Sequence, residues 1–225
     1  MGNKSGERPR ERDVKITSEG VTLDGILAVP TRAKGVVLFA HGSGSGRFSP
    51  RNNFVARVLQ DGGLATLLID LLTEEEAKDR SLVFNIDFLT ERLLDATAWL
   101  RLESETEKLS IGYFGASTGA AAALQAAAKE KERIGAVVSR GGRPDLAMDY
   151  LPQVVAPTLL IVGGNDYPVI PLNQEAYNLL RCEKELVIIP GATHLFEEPG
   201  ALEQVAQHAR RWFERYLPRA KRQVA

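Results

Sequence analysis

The residues of this chain best equipped for chemistry are a serine bracketed by glycines, a histidine in a late loop, and an aspartate between the two. Gly115-Ala116-Ser117-Thr118-Gly119 fits G-x-S-x-G. It directly follows the apolar run Ile111-Gly112-Tyr113-Phe114 and directly precedes an alanine-rich stretch that begins at Thr118. A strand turning sharply into a helix there holds the serine in a strained conformation, with its hydroxyl raised above a sheet. Glycines two residues to either side then leave room for neighbouring backbone, and Ala120 to Ala123 let the helix lie close. The helix N-terminus adds free N–H groups and partial positive charge where an oxyanion would develop. Serine also serves as a helix N-cap, but a cap requires neither both glycines nor a buried strand in front. The chemistry expected is nucleophilic attack by Ser117 on a carbonyl, once a base has taken its proton.

The base must come from three histidines. His208 lies inside the last helical stretch, off its apolar stripe, and reads as a surface residue. His41 opens His41-Gly42-Ser43-Gly44-Ser45-Gly46, where it more plausibly shapes a turn. His194, in Gly191-Ala192-Thr193-His194, sits in a loop after a strand-like run, the place where an open α/β sheet puts its site. We take His194 as the base. Asp166, reached from Thr158–Gly163 through Gly164-Asn165, is the expected orienting carboxylate, with Asp145 in reserve and an Asx turn before Pro168 as its plain structural reading. The chain order Ser117, Asp166, His194 is that of α/β-hydrolases. The expected oxyanion donors are the backbone N–H groups of Thr118 and Ser43. The glycines at 42, 44 and 46 lack the G-x-x-G step, Walker lysine and following helix of a nucleotide loop. Arg47, Arg140 and Arg143 lie near strand ends, where they would clamp an anionic substrate group if they face the pocket. Their plain reading is pairing with Asp145, with Glu74 to Glu76, or with solvent. Cys182 stands away from every motif and reads as structural. No His/Cys grouping has metal-ligand spacing, so neither metal nor cofactor is expected.

Strand-like and helix-like segments alternate around these residues. Val14–Ser18 and Val21–Val29 read as a hairpin. Gly35–His41, Leu64–Asp70, Leu109–Phe114, Ile134–Ser139, Thr158–Gly163 and Glu185–Ile189 read as strands, several apolar throughout, as strands buried on both faces are. Helices are expected over Phe54–Gln60, about Asp87–Leu102, Thr118–Ala128, Gln174–Arg181 and about Leu202–Leu217. The segment from Leu71 to Asn85 is acidic and irregular. About eight strands separated by helices imply a mainly parallel sheet with an antiparallel start, covered on both faces. Residues 1–13 read as a mobile charged tail, and residues 14–225 as a single domain.

The 225 residues carry 28 Lys and Arg against 29 Asp and Glu, a balance that argues against nucleic-acid binding. No apolar run is long enough for a membrane span. The opening MGNKSGERPRERD has no apolar core for a secretory leader, and one cysteine provides no disulfide, so a cytoplasmic location is expected.

HGSGSGR at 41–47, GYFGASTGAAAAL at 112–124, GGNDYPV at 163–169 and GATHLFEEPG at 191–200 resemble the α/β-hydrolase superfamily, and most of all its small, lidless dienelactone-hydrolase-like members. The resemblance spans about Val14 to Leu217. It implies a Ser117–His194–Asp166 triad, no cofactor, no lid, and hydrolysis of a small carboxylic ester or lactone. Dienelactone hydrolases carry cysteine at the elbow, whereas this chain carries Ser117, so a serine esterase is the expectation. A thioesterase, a peptidase or a cofactor-free haloperoxidase would use the same triad. A non-catalytic binding protein on the same fold is the alternative from another class.

Overall fold

The computed structural model describes residues 9–217. The chain enters through a hairpin, β1 (Arg10–Ser18) and β2 (Val21–Val29), which pairs antiparallel from Arg10 opposite Val29 to Ser18 opposite Val21. Six further strands follow: β3 (Val36–Ala40), β4 (Ala65–Ile69), β5 (Ile111–Ala116), β6 (Ile134–Arg140), β7 (Thr158–Gly163) and β8 (Lys184–Ile189). They join one sheet in the order β1-β2-β4-β3-β5-β6-β7-β8, with β2 antiparallel to β4 and all later pairings parallel. The expected mainly parallel sheet with an antiparallel start is therefore present.

Every residue of β3, β4, β5 and β7 is buried, which explains why their sequences are apolar without alternation. Successive side chains go to opposite layers. Leu38, Tyr113 and Leu160 pack on the side of α3 (Ile86–Leu102) and α4 (Thr118–Glu130). Val37, Phe114 and Ile161 pack on the side of α1 (Pro50–Asp61) and α6 (Ala201–Tyr216). A short helix, α2 (Arg80–Val83), precedes α3, and α5 (Ile170–Leu179) lies between β7 and β8. Among the described residues no separate lid domain stands over the strand C-termini.

Several boundaries differ from the sequence reading for identifiable reasons. The strand expected from Val14 begins at Arg10, so the proposed tail is too long by its last four residues. These form an edge strand with an open face, which tolerates charge. Arg12 there pairs with Glu103 at 3.0 Å and Glu105 at 3.1 Å, so its polar composition disguised it. Residues 1–8 of that expected tail lie outside the described residues. Helix α1 begins at Pro50, with Ser49 Oγ accepting the Asn52 N–H, a proline-led start that apolar periodicity does not register. The acidic segment contains a 3₁₀ turn at Glu76–Lys78 as well as α2, and Pro144–Gln153 forms further 3₁₀ turns for which no element was expected.

Helix α6 is anchored by Phe213, fully buried against β5: a Cβ added at Gly112 would come within 2.8 Å of its ring. Phe213→Ala should cost about 3–5 kcal/mol through lost burial and an unfilled cavity. Urea unfolding with an unchanged m-value checks this, and a loss below about 1 kcal/mol would show that the contact is slack.

Candidate active site

The site is built where strand C-termini crowd together. Ser117 joins β5 to α4 with φ 51 and ψ −121, a conformation L-residues rarely adopt. Its N–H donates to Arg140 O at 3.3 Å, and its carbonyl accepts from Arg143 N at 3.1 Å and Ala120 N at 3.1 Å. Its hydroxyl makes no capping hydrogen bond, so the N-cap explanation does not account for a serine here. Both flanking glycines are sterically required. A Cβ on Gly115 would stand 2.4 Å from Ala120 Cα, and one on Gly119 would stand 2.2 Å from Ala40 O and 2.4 Å from His41 O.

His194 and Asp166 are brought together by two loops zipped along their backbones. Gly164 N–H donates to Ile189 O at 2.8 Å, Asn165 N–H to Ala192 O at 2.9 Å, and the Asn165 amide to Gly191 O at 3.0 Å. A Cβ on Gly163 would strike Ala192 O at 2.4 Å, which is why the strand must end in glycine. Phe196, buried at φ 55, pins the histidine loop, and Glu198 holds Thr193 through its N–H and hydroxyl at 3.0 and 2.6 Å. The outcome is a hydrogen bond of 2.7 Å between His194 Nδ1 and Asp166 Oδ2, with the carboxylate buried and the ring partly open to solvent. The ring leans over Gly141, where an added Cβ would be 3.5 Å from His194 Cε1. Gly141 follows Arg140, whose carbonyl takes the Ser117 N–H, so both residues border the C-terminal end of β6.

The glycine loop after β3 completes the rim. A Cβ on Gly42 would lie 3.0 Å from Ser117 Cβ. Ser43 N–H donates to the Thr118 hydroxyl at 3.1 Å, so the expected oxyanion donor sits beside the elbow with a side-chain acceptor in place. Two clasps hold this loop to the chain after β4. Asp70 accepts from Arg47 N at 2.6 Å and from the Arg47 guanidinium, which also lies 3.9 Å from Asp24. His41, with Nδ1–H donating to Gly42 O at 2.9 Å, accepts the Leu71 N–H on Nε2 at 2.9 Å. Asp70 was not singled out from sequence, although its place at a strand C-terminus was the available signal.

The three arginines separate. Arg143 forks onto Asp145 at 2.8 and 2.7 Å, which occupies both and removes Asp145 as a partner for His194. Arg47 is held by Asp70, and among the described residues Arg140 meets no carboxylate. Cys182 is distant from the site, and burial raises its thiol pKa, in keeping with a structural role. His208 is half-buried on α6. A cavity of about 450 Å³ opens beside Ser43 and Thr118, lined also by Asp24, Asp70, Leu72 and Leu89. Among the described residues no group of three or more metal-ligating side chains forms, and no helix is long and apolar enough to cross a membrane.

Comparison with known proteins agrees with the fold and indicates the family. Residues 23–220 match the Dienelactone hydrolase family. The crystal structure of a dienelactone hydrolase from Anabaena variabilis is similar with 58% identity and a TM-score of 0.92, covering 94% of this chain and 100% of that one. Est1E from Butyrivibrio proteoclasticus is 16% identical with a TM-score of 0.76, over 91% of this chain and 98% of its own, a likeness of fold. Two Mycobacterium tuberculosis proteins named "Putative phosphoribosyl transferase" are 55% identical over 208 residues, covering 92% of this chain and 47% of theirs. The chain spans about half the length of these curated relatives.

His41 is held neutral by burial, which lowers its pKa against the smaller raising effects of Gly42 O and Asp70. The unfolded chain takes that proton at about pH 6.5. The clasp therefore contributes its full stability above that pH and loses it as the pH falls towards the depressed folded value, by up to about 1.4 kcal/mol per pH unit. Urea unfolding of the wild type and His41→Asn between pH 7.5 and 5.5 should show a shallower acid slope in the variant. Equal slopes would remove His41 as the cause.

Proposed function

The chain belongs to the dienelactone hydrolase family, and from that premise we propose that it hydrolyses small carboxylic esters or lactones through Ser117, His194 and Asp166. The supporting observations are the 2.7 Å His194–Asp166 hydrogen bond and a serine held at φ 51 whose hydroxyl caps nothing. With Nδ1–H given to Asp166, His194 Nε2 is left to take the Ser117 proton as Oγ attacks the carbonyl. Asp166, by accepting the Nδ1–H, keeps the ring in that tautomer. The Thr118 and Ser43 amides receive the oxyanion, the Thr118 hydroxyl giving up its bond to Ser43 as substrate enters. His194 then protonates the leaving alcohol, and water, activated by the same ring, releases the acyl group.

The cavity beside the two amides suits a small acyl or lactone group. Phe48, Tyr167 and Leu195, next in sequence to Arg47, Asp166 and His194, are exposed, and we take this apolar surface to favour an ester over a peptide backbone. With Arg47 held by Asp70, this cavity favours a neutral substrate group, in place of the anion clamp expected of that residue. The name borne by the Mycobacterium tuberculosis relatives belongs to proteins about twice as long, and we assign phosphoribosyl transfer no residue in this site. The chemistry needs neither metal nor cofactor, and the single thiol suits a reducing, cytoplasmic setting.

The wild type should turn over p-nitrophenyl acetate and butyrate faster than the decanoate, with Ser117→Ala and Asp166→Asn each lowering kcat by about 10⁴ or more. Hydrolysis retained by Ser117→Ala would overturn the proposal.

A further inference from the structure

Two of the three arginines at the strand ends are paired with carboxylates; Arg140 is not. Its side chain is buried at 6% exposure, its Nη2 reaches Asn52 Oδ1 at only 3.4 Å, and its Nε has no partner. The guanidinium carbon lies 5.9 Å from the centre of the Phe196 ring. Burial pushes its pKa down to about 10, and the charge of Arg51 pushes in the same direction. Arg51 sits in the first turn of α1, also has a buried Nε without a partner, and reaches only the exposed carboxylate of Glu197 at 3.3 Å. That twelve-residue helix has no acidic residue in its first turn, so its positive end adds to both guanidinium groups.

A buried cation without a counter-charge is costly, and a buried N–H donor without an acceptor, as at Nε, is costly again. A bound anion relieves both costs, because guanidinium N–H groups pair side by side with the oxygens of a carboxylate or phosphate. We propose that Arg140, Arg51 and the first turn of α1 form a binding site for a small oxyanion, a carboxylate or phosphate group. The site touches the candidate catalytic centre through its backbone: the Arg140 carbonyl accepts the Ser117 N–H, and Gly141 lies against the His194 ring. It faces α1, whereas the cavity beside Ser43 and Thr118 faces α3. Two sources fit this chemistry, a free anion from solution or an anionic group carried by the substrate. Anion binding itself does not depend on the hydrolytic reading.

The test is thermal unfolding in inorganic phosphate against chloride at equal ionic strength. At a phosphate concentration tenfold above Kd the wild type should gain about 3–6 °C in Tm. Arg140→Met and Arg51→Ala should each lose that gain, the second variant keeping the test decisive if the first does not fold. No phosphate-specific gain in the wild type, or the same gain in the variants, would overturn the site and leave Arg140 a structural prop for Phe196. Kinetics then separate the sources. If the anion belongs to the substrate, phosphate competes with ester hydrolysis, and a carboxylate-bearing ester has a lower KM than its neutral counterpart, a difference that Arg140→Met abolishes. If the anion is free, phosphate stabilises the protein and leaves both KM values unchanged. Failure of all ester hydrolysis, with the phosphate gain intact, would count against the proposed function and not against this site.

Discussion

The arrangement depends on a backbone conformation at Ser117 that costs an L-residue on the order of 1–3 kcal/mol and persists only where its surroundings impose it. Those surroundings are present on every side. The parallel pairing of β5 with β3 and β6 sets the level of the turn, and the N–H and carbonyl of Ser117 are tied to Arg140 and Arg143. Gly119 runs against the carbonyls at the end of β3, and Gly115 against Ala120. Because the strain is carried by strand ends, the serine is presented from the buried centre of the sheet. Its hydroxyl is withheld from the local hydrogen bonding that would otherwise use it.

The same crowding organises the neighbours. Glycine at the end of β7 lets the Asp166 and His194 loops bond backbone to backbone, so the 2.7 Å pair follows from loop packing and not from the two side chains finding each other. On the other side the Asp70–Arg47 and His41–Leu71 clasps tie the glycine loop to the chain after β4, and with it the Ser43 amide. Charge is distributed by the same logic. Arg47 and Arg143 are held by neighbouring carboxylates, whereas Arg140 is enclosed beside a helix N-terminus with a second arginine for company.

Much of this was legible in the sequence because it rests on local rules. Strands buried on both faces are apolar throughout, so β7 could be placed to the residue and β3 and β4 to within one, while β2 was placed to the residue as the second arm of a hairpin. The elbow showed itself through two glycines whose steric purpose the structure explains, and Asp166 and His194 through their positions after strands. What stayed hidden depends on tertiary pairing. The charged residues 10–13 become a strand only against β2, and the turns at 144–153 follow no period. Which carboxylate meets which arginine cannot be read from spacing, since Arg143 and Asp145 pair locally while Arg47 and Asp70 pair across two loops. The partnerless state of Arg140 is visible only once its surroundings are assembled.

An activated nucleophile at Ser117 is what a fluorophosphonate probe reports, without assuming a substrate. Peptide mass spectrometry of the labelled wild type should place the adduct on Ser117, and His194→Ala should suppress labelling while the fold, followed by circular dichroism, is kept. Labelling elsewhere, or no labelling of a folded wild type, would contradict the central claim.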